Sequence, residues 1–473
     1  MSSIMSPGKL RLSRWAHFFQ FDGGGIFYHS LLKNAVFLFQ QEYVLVEKFL
    51  LDQREFSSIQ NIIKELTQTK ILIPENQNED EILLRLKKDI PAPYVGIMQL
   101  IVAKTCNLAC RYCFEGNGQD IGQRSKEKEQ DQLMSGETAK QALVFFSRQM
   151  QEISAYFPQE KEIIFYGGEP LLNMPAVETT VAEARKMQKE GLLPQKMSFS
   201  MVTNGTLLTK KTARKLKDLN INVSISLDGA DAESNVNRID RAGRKAFSKI
   251  VSGIRNAQSE GLHFGLSVTL TEETMKRQEE FIDFIIGNGI TGINFNIIIG
   301  INDPVYFKKA SSFIIDFYRK TKQYGIMEDR ILRKINALSS SCFYYHDCAA
   351  LSGNQIVVMP NGDVGLCQGT INTDEFIIGK ISDEHLSFSK CSMVHEWIQN
   401  TPVNKKECIE CPAIAICGGG CPINARLNSA NRSLLSLDSR FCVHTKDTLM
   451  FLLQEMALMI QEDTKTKESD IHA

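Results

Sequence analysis

From about residue 95 the chain alternates between two hydrophobic periods. Short runs rich in β-branched and aromatic residues have the length and composition of strands: VGIMQLIV (95–102), IIFYGG (163–168), SFSMVTNG (198–205), NVSISLDG (222–229), FGLSVTLT (264–271) and INFNIII (293–299). Between them the apolar positions of TAKQALVFFSRQMQEI, AVETTVAEARKMQ, TKKTARKLKDL, AFSKIVSGIRNAQ and TMKRQEEFIDFII recur every three to four residues, the spacing of a helix with one buried face. Six strands, each followed by a helix, predict an α/β fold whose parallel sheet curls toward a barrel, a partial (β/α)6 TIM-like barrel. In such folds chemistry sits on the loops that follow the carboxyl ends of the strands.

The flanks are patterned differently. Residues 17–40, HFFQFDGGGIFYHSLLKNAVFLFQ, predict three short strands with GGG at a tight turn, and EYVLVEKFLLDQ, SSIQNIIKEL and ILI continue them as a small α+β unit. An exposed edge strand beside a helix accepts an extended peptide by strand addition; a stabilising cap on the barrel is the alternative role. IVVMPNGDVGLC predicts a hairpin with an Asn-Gly turn that delivers Cys367 at a strand end. NGQDIGQRSKEKEQDQLMSGE is charged and polar enough for a solvated loop, with a lid as the second reading. TKDTLMFLLQEMALMIQE predicts a last helix with a Leu/Met packing stripe, and TKTKESDIHA a frayed tail. At 473 residues the chain exceeds one ordinary core, and the patterns divide it at 1–90, 91–325, 326–445 and 446–473.

Composition narrows the function classes. A hydrophobic fraction of 43% and a charged fraction of 23% describe a soluble globular protein, and a net charge of -1 gives no general attraction for nucleic acid or an anionic membrane. No apolar run reaches membrane-spanning length, and MSSIMSPGKLRLSRW lacks the apolar core of a secretory signal, so a cytoplasmic protein is expected. In a reducing compartment its 12 cysteines point to metal or cluster ligation rather than disulfides. They are segregated: Cys106, Cys110 and Cys113, then none for 228 residues, then nine between 342 and 442.

CNLACRYCFEG spaces the first three thiols C-x3-C-x2-C after the first strand. Gly167-Gly168-Glu169-Pro170, Thr203-Asn204-Gly205 and Ser226-Leu227-Asp228-Gly229 close the next three strands, so all of these meet at one end of the barrel. Three closely spaced thiolates suit a cuboidal iron–sulfur cluster and leave one iron open for a cofactor or substrate. The alternative, zinc completed by a histidine, finds no histidine within 70 residues on either side. Farther on, Cys342, Cys348, Cys367, Cys408, Cys411, Cys417, Cys421 and Cys442 make two sets of four, with Cys391 left as a structural thiol; two structural zinc sites are the alternative there.

CNLACRYCFEG, YGGEP, VTNG and ISLDG, in this order on a β/α repeat, resemble the radical S-adenosylmethionine (radical SAM) superfamily. The later thiols resemble its SPASM extension with two auxiliary [4Fe-4S] clusters. The resemblance implies three [4Fe-4S] clusters and S-adenosylmethionine. Cys106, Cys110 and Cys113 would hold the cluster whose open iron chelates the cofactor. Gly167, Gly168 and Glu169 resemble the strip that meets the methionine amino group, Tyr112 the aromatic residue near adenine, Asn204 and Ser226 the polar strand ends near ribose or methionine, and Arg238, with Arg241 close by, the arginine at the carboxylate. Cys342, Cys348, Cys367 and Cys421 would hold the nearer auxiliary cluster, and Cys408, Cys411, Cys417 and Cys442 the outer one. No acid or base is singled out.

The same resemblance implies an activity. The first 90 residues look like the winged-helix-like peptide-recognition unit of maturases of ribosomally made peptides, which would tether the leader of a precursor peptide. A thioether between a cysteine sulfur and a carbon is the expected product, and a flavodoxin or ferredoxin the expected electron donor. An anaerobic sulfatase-maturating enzyme is the alternative. That reading is weakened because Gln368 follows Cys367 where those enzymes carry an aspartate, and an amide cannot take a proton as a carboxylate does. A zinc-binding adaptor without catalysis represents another class.

Overall fold

A computed structural model describes residues 9–52, 57–114, 132–152, 161–373 and 375–471. Of the segment expected to be a solvated loop, 117–137, residues 117–131 lie outside them. The amino-terminal unit contains β1 (Leu10–Leu12), β2 (Ala16–Phe21), β3 (Gly24–His29), β4 (Ala35–Phe39) and β5 (Leu72–Pro74), with helices Gln40–Leu51, Gln60–Gln68 and Asp80–Lys88. β2, β3 and β4 form an antiparallel sheet, and β1 pairs with β5. Of the expected GGG turn only Gly23, at φ +82°, turns the chain. Gly24 and Gly25 belong to β3, where a Cβ would stand 2.2 Å from the Leu38 carbonyl oxygen and 2.3 Å from the Phe18 ring.

β3 is buried along its whole length because both faces of the sheet are covered. Phe27, Val36 and Leu38 face Val46, Phe49, Ile63 and Leu66 of the unit's own helices. On the other face Ile26 and Tyr28 join Ala413, Ile416, Leu449 and Leu453 from the far end of the chain.

All six strands of the repeat are present and parallel: β6 (Ile97–Ala103), β7 (Lys161–Gly167), β8 (Met197–Thr203), β9 (Ile221–Ser226), β10 (Phe264–Leu270) and β11 (Gly292–Ile297). Their sheet has ten strands. β12 (Met327–Glu328) extends it beyond β11, past the expected boundary at 325, and β13 (Gln355–Val358) pairs parallel to β6 at the other edge. β13 and β14 (Asp363–Gly365) are the expected hairpin, with Gly362 at φ +84°, and β15 (Ile377–Lys380) closes the sheet. Leu100, Val102, Ile163, Phe165, Met201, Ile225, Val268 and Phe295 fill the core.

The helical pattern expected at 274–286 divides into Glu272–Met275 and Gln278–Gly287, the first started by a Thr271–Thr274 capping pair. The last helix spans Ser439–Ile471, so it begins before Cys442 and continues through most of the tail expected to fray. Among the described residues no helix is long and apolar enough to cross a membrane.

Candidate active site

The first thiol loop leaves β6 where β7 ends beside it. The Gly168 amide donates to the Ala103 carbonyl at 2.8 Å and the Glu169 amide to that of Thr105 at 3.0 Å. A Cβ on Gly167, which has φ +124°, would lie 2.1 Å from the Ala103 carbonyl oxygen, and one on Gly168 would lie 2.4 Å from that of Thr105. The two glycines therefore let two backbones touch at the root of the cysteine loop. Gly168→Ala is expected to cost about 1–3 kcal/mol, because the obstacle is main chain that must shift. Urea unfolding of the metal-free protein measures it.

Glu169 is fully buried. It accepts from the Leu171 amide at 3.0 Å, the Thr203 hydroxyl at 2.7 Å and the Asn204 amide at 2.8 Å, so it ties the end of β7 to the end of β8. Burial pushes its pKa up to about 7 against these three hydrogen bonds. Asn204 donates from Nδ2 to Asn107 Oδ1 at 2.9 Å and lies 3.7 Å from Cys106 Sγ, while Asn107 donates to the Thr206 hydroxyl at 2.8 Å. Asn107 and Thr206 were missed as site residues, although the first stands inside CNLAC. Ser226, half-buried at the end of β9, is in register with Ser267 of β10.

Burial pushes the Cys106 thiol up to about 12, opposed by the Leu108 amide and reinforced by Glu169, Cys110 and Cys113. Cys110 and Cys113 act electrostatically on Cys106, and a cationic centre bound to all three would offset their mutual repulsion as thiolates. Three thiols on one loop suit a cluster by their chemistry, though their side chains do not converge on one point here.

Tyr112 and Arg238 meet on Asp228. The guanidinium donates to both carboxylate oxygens, Nε to Oδ2 at 3.0 Å and Nη2 to Oδ1 at 2.8 Å; the side chains are 7% and 0% exposed. The Tyr112 hydroxyl donates to Oδ2, the Thr269 amide donates to Oδ1 at 3.0 Å, and Arg238 lies 5.5 Å from the Tyr112 ring centroid. Burial raises the Cys110 thiol pKa, and Arg238, close enough to hydrogen-bond it, lowers it. Arg238, expected at a cofactor carboxylate, thus has a carboxylate of its own. Arg241 is exposed, donates to the Thr105 hydroxyl at 3.2 Å and lines a cavity of about 510 Å³ with Asn107, Thr206 and Lys249.

The later thiols fall into groups. Cys348, Cys367 and Cys421 are mutual electrostatic neighbours, and burial pushes Cys348 up to about 11. Cys342, expected with them, is exposed, and its carbonyl accepts from the Lys33 ammonium at 2.8 Å. Cys408, Cys411, Cys417 and Cys442 form the second group, where burial pushes Cys408 and Cys442 up to about 12. Gly418, Gly419 and Gly420, all at positive φ, arc between Cys417 and Cys421. A Cβ on Gly418 would meet the Asp347 amide nitrogen at 2.3 Å, so this arc brings the second group against Cys348. Cys391 stands before helix Ser392–Ile398, outside both groups. Among the described residues no three His, Cys, Asp or Glu side chains gather as they would around one metal ion.

Gln368 ends a line of amides. Gln99 Nε2 donates to Gln355 Oε1 at 2.9 Å, and Gln355 Nε2 donates to Gln368 Oε1 at 3.2 Å. The position beside Cys367 is therefore wired to the barrel by neutral groups.

Residues 100–285 match the family described as the Radical SAM superfamily. The chain is 24% identical over 386 residues to the radical SAM cyclopropyl synthase TigE of Paramaledivibacter caminithermalis, covering 77% of each protein. It is 24% identical over 372 residues to a serine-type anaerobic sulfatase-maturating enzyme of Klebsiella aerogenes, covering 76% of this chain and 86% of that one. Among solved structures, native anSMEcpe with bound AdoMet superposes with a TM-score of 0.62 at 22% identity, over 77% of this chain and 100% of that one. Streptococcus suis SuiB bound to its precursor peptide SuiA superposes with a TM-score of 0.50 at 14% identity, over 92% of this chain and 100% of that one; both likenesses are of fold. With the cysteine loop, the glycine strip and the parallel sheet in place, residues 100–285 carry a radical SAM domain, and the chain is an enzyme that uses S-adenosylmethionine and a [4Fe-4S] cluster.

Proposed function

We propose that the chain is a maturase of a ribosomally made precursor peptide, in which it closes a crosslink from a cysteine sulfur to a carbon. The observation that carries this reading is a three-stranded antiparallel sheet packed directly on the thiol-rich region. Among the described residues the outer strands β2 and β4 each pair on one side only. An extended leader added to either gains main-chain hydrogen bonds.

Cys106, Cys110 and Cys113 would hold the cluster that, with S-adenosylmethionine, supplies a 5'-deoxyadenosyl radical, while the eight later thiols hold two auxiliary [4Fe-4S] clusters that can take a surplus electron. Gly167, Gly168, Asn204 and Ser226 offer polar strand ends to the cofactor. Glu169 braces two of those ends, while Tyr112 and Arg238 hold the loop from behind. In the closed crosslink the peptide would have given up a hydrogen atom from carbon to that radical, and the thiol proton and one electron, the latter to an auxiliary cluster, as the sulfur–carbon bond formed. Its mass falls by two hydrogens. A flavodoxin- or ferredoxin-type protein fits as the source of the initiating electron.

The test uses the whole chain, because excising residues 1–90 would strip Ile26 and Tyr28 from a core shared with the carboxyl-terminal helix. A cysteine-containing peptide encoded beside this gene is added under hydrogen exchange. Amides of β2 or β4 are expected to become protected, and anaerobic turnover should yield a peptide two hydrogens lighter with one free thiol fewer. No protection and no mass change would defeat the proposal. An aldehyde-reactive product would instead support sulfatase-type maturation, which the neutral Gln368 line disfavours.

A further inference from the structure

Two side chains of the amino-terminal unit end on carbonyl oxygens within cysteine loops. Lys33 lies in the turn between β3 and β4 at φ +60°, a left-handed value uncommon for a residue with a Cβ, and its amide donates to the His29 carbonyl at 2.7 Å. From there its ammonium donates to the carbonyls of Ala337 at 2.7 Å, Ser340, and Cys342 at 2.8 Å. The first belongs to the last turn of helix Asp329–Ser339 and the second to the residue just past it, where carbonyls lack intrahelical partners and a cation is favoured. The third is the peptide of Cys342 itself. Three donors meet three acceptors, so this lysine holds the loop by its backbone.

Trp15 does the same on the other thiol group. It is fully buried, and its Nε1 donates at 3.0 Å to the carbonyl of Ile409, between Cys408 and Cys411. Arg14 lies 4.2 Å from the centroid of its ring. Leu31 and Ile414 complete the apolar seat, against which Cys411 packs.

Strand addition explains neither contact, since both side chains face the thiol loops. We infer that Lys33 and Trp15 are positioning residues for the auxiliary clusters. Lys33 fixes the peptide that presents Cys342 to Cys348, Cys367 and Cys421, and Trp15 fixes the Cys408–Cys411 loop. Cys342 most needs such a fixture, being the exposed thiol of its set. The inference rests on reading the eight later thiols as cluster ligands. It gives the amino-terminal unit a second task, as part of the mount of the iron centres.

The experiment compares whole-chain, anaerobically reconstituted Lys33→Met, Lys33→Gln, Lys33→Arg and Trp15→Phe with Cys348→Ala and Cys408→Ala. The readouts are iron per chain, the electron paramagnetic resonance of each reduced cluster, and peptide-free cleavage of S-adenosylmethionine. Lys33→Met and Lys33→Gln are expected to lose or alter the signal that Cys348→Ala removes, with iron falling from about twelve toward about eight per chain. Trp15→Phe should do the same to the signal that Cys408→Ala removes. Lys33→Arg should restore the first signal, and peptide-free cleavage should stay within about twofold of wild type, which sets these effects apart from general unfolding.

Full iron and unchanged auxiliary signals in the Lys33 and Trp15 variants would overturn the inference, as would equal loss of all three signals. If the two cysteine variants also keep every signal, the ligand assignment itself has failed. If only they lose signals, the positioning role alone has failed.

Discussion

Asp228→Ala is expected to destabilise the metal-free protein by about 3–5 kcal/mol, the cost of leaving one partner of a buried ion pair alone. Arg238 would keep its charge in a site where it is 7% exposed and its counter-charge is gone. The Thr269 amide and Tyr112 hydroxyl would lose their acceptor in the same step. Tyr112 stands immediately before Cys113, so the damage travels into the thiol loop and iron uptake at the first site should fall with stability. The double change Asp228→Leu with Arg238→Met is expected to recover much of the loss in urea unfolding, since no uncompensated charge remains. Equal stability of Asp228→Ala and wild type would remove the buried pair from the account.

Changing any one of Cys106, Cys110 or Cys113 to alanine is expected to abolish 5'-deoxyadenosine formation under dithionite and to lower iron by about four per chain, leaving the signals of the proposed auxiliary clusters in place. The fold should tolerate it, because burial already favours the neutral thiol at Cys106 and Cys110, and a methyl group can fill such a site without stranding a charge. Cys391→Ser is the control, since that thiol lies outside all three groups. Cofactor cleavage at wild-type rate in a Cys106 variant would contradict the assignment of the loop.

The barrel was legible because its signal is repetitive. Each of the six strands is a short apolar run with a distinct helical period after it, and all six appear within a few residues of the sequence reading. Cysteine spacing was legible for a similar reason, since ligands carried on one loop keep their separation in sequence. What stayed hidden depends on partners distant in sequence or on very short elements. β12 has two residues, too few to show a period, and β13 joins β6 across more than 250 positions. Arg238 could not be matched to Asp228 because nothing in a pattern says which charge a side chain will meet. GGG at 23–25 promised a turn, yet two of its glycines serve the close approach of Leu38 and Phe18. The clean boundary expected at residue 90 fails to convey that Ile26 and Tyr28 complete a core begun by Leu449 and Leu453.

That shared core makes the two ends of the chain one cooperative body. A sheet covered by its own helices on one side and by residues beyond 400 on the other cannot melt without uncovering both, so β2, β3 and β4 should unfold together with the thiol-rich region. Under the proposed function, oxygen that destroys the iron centres would then also blunt recognition of the leader, and a graft of this amino-terminal unit onto another barrel would have to bring the last helix with it.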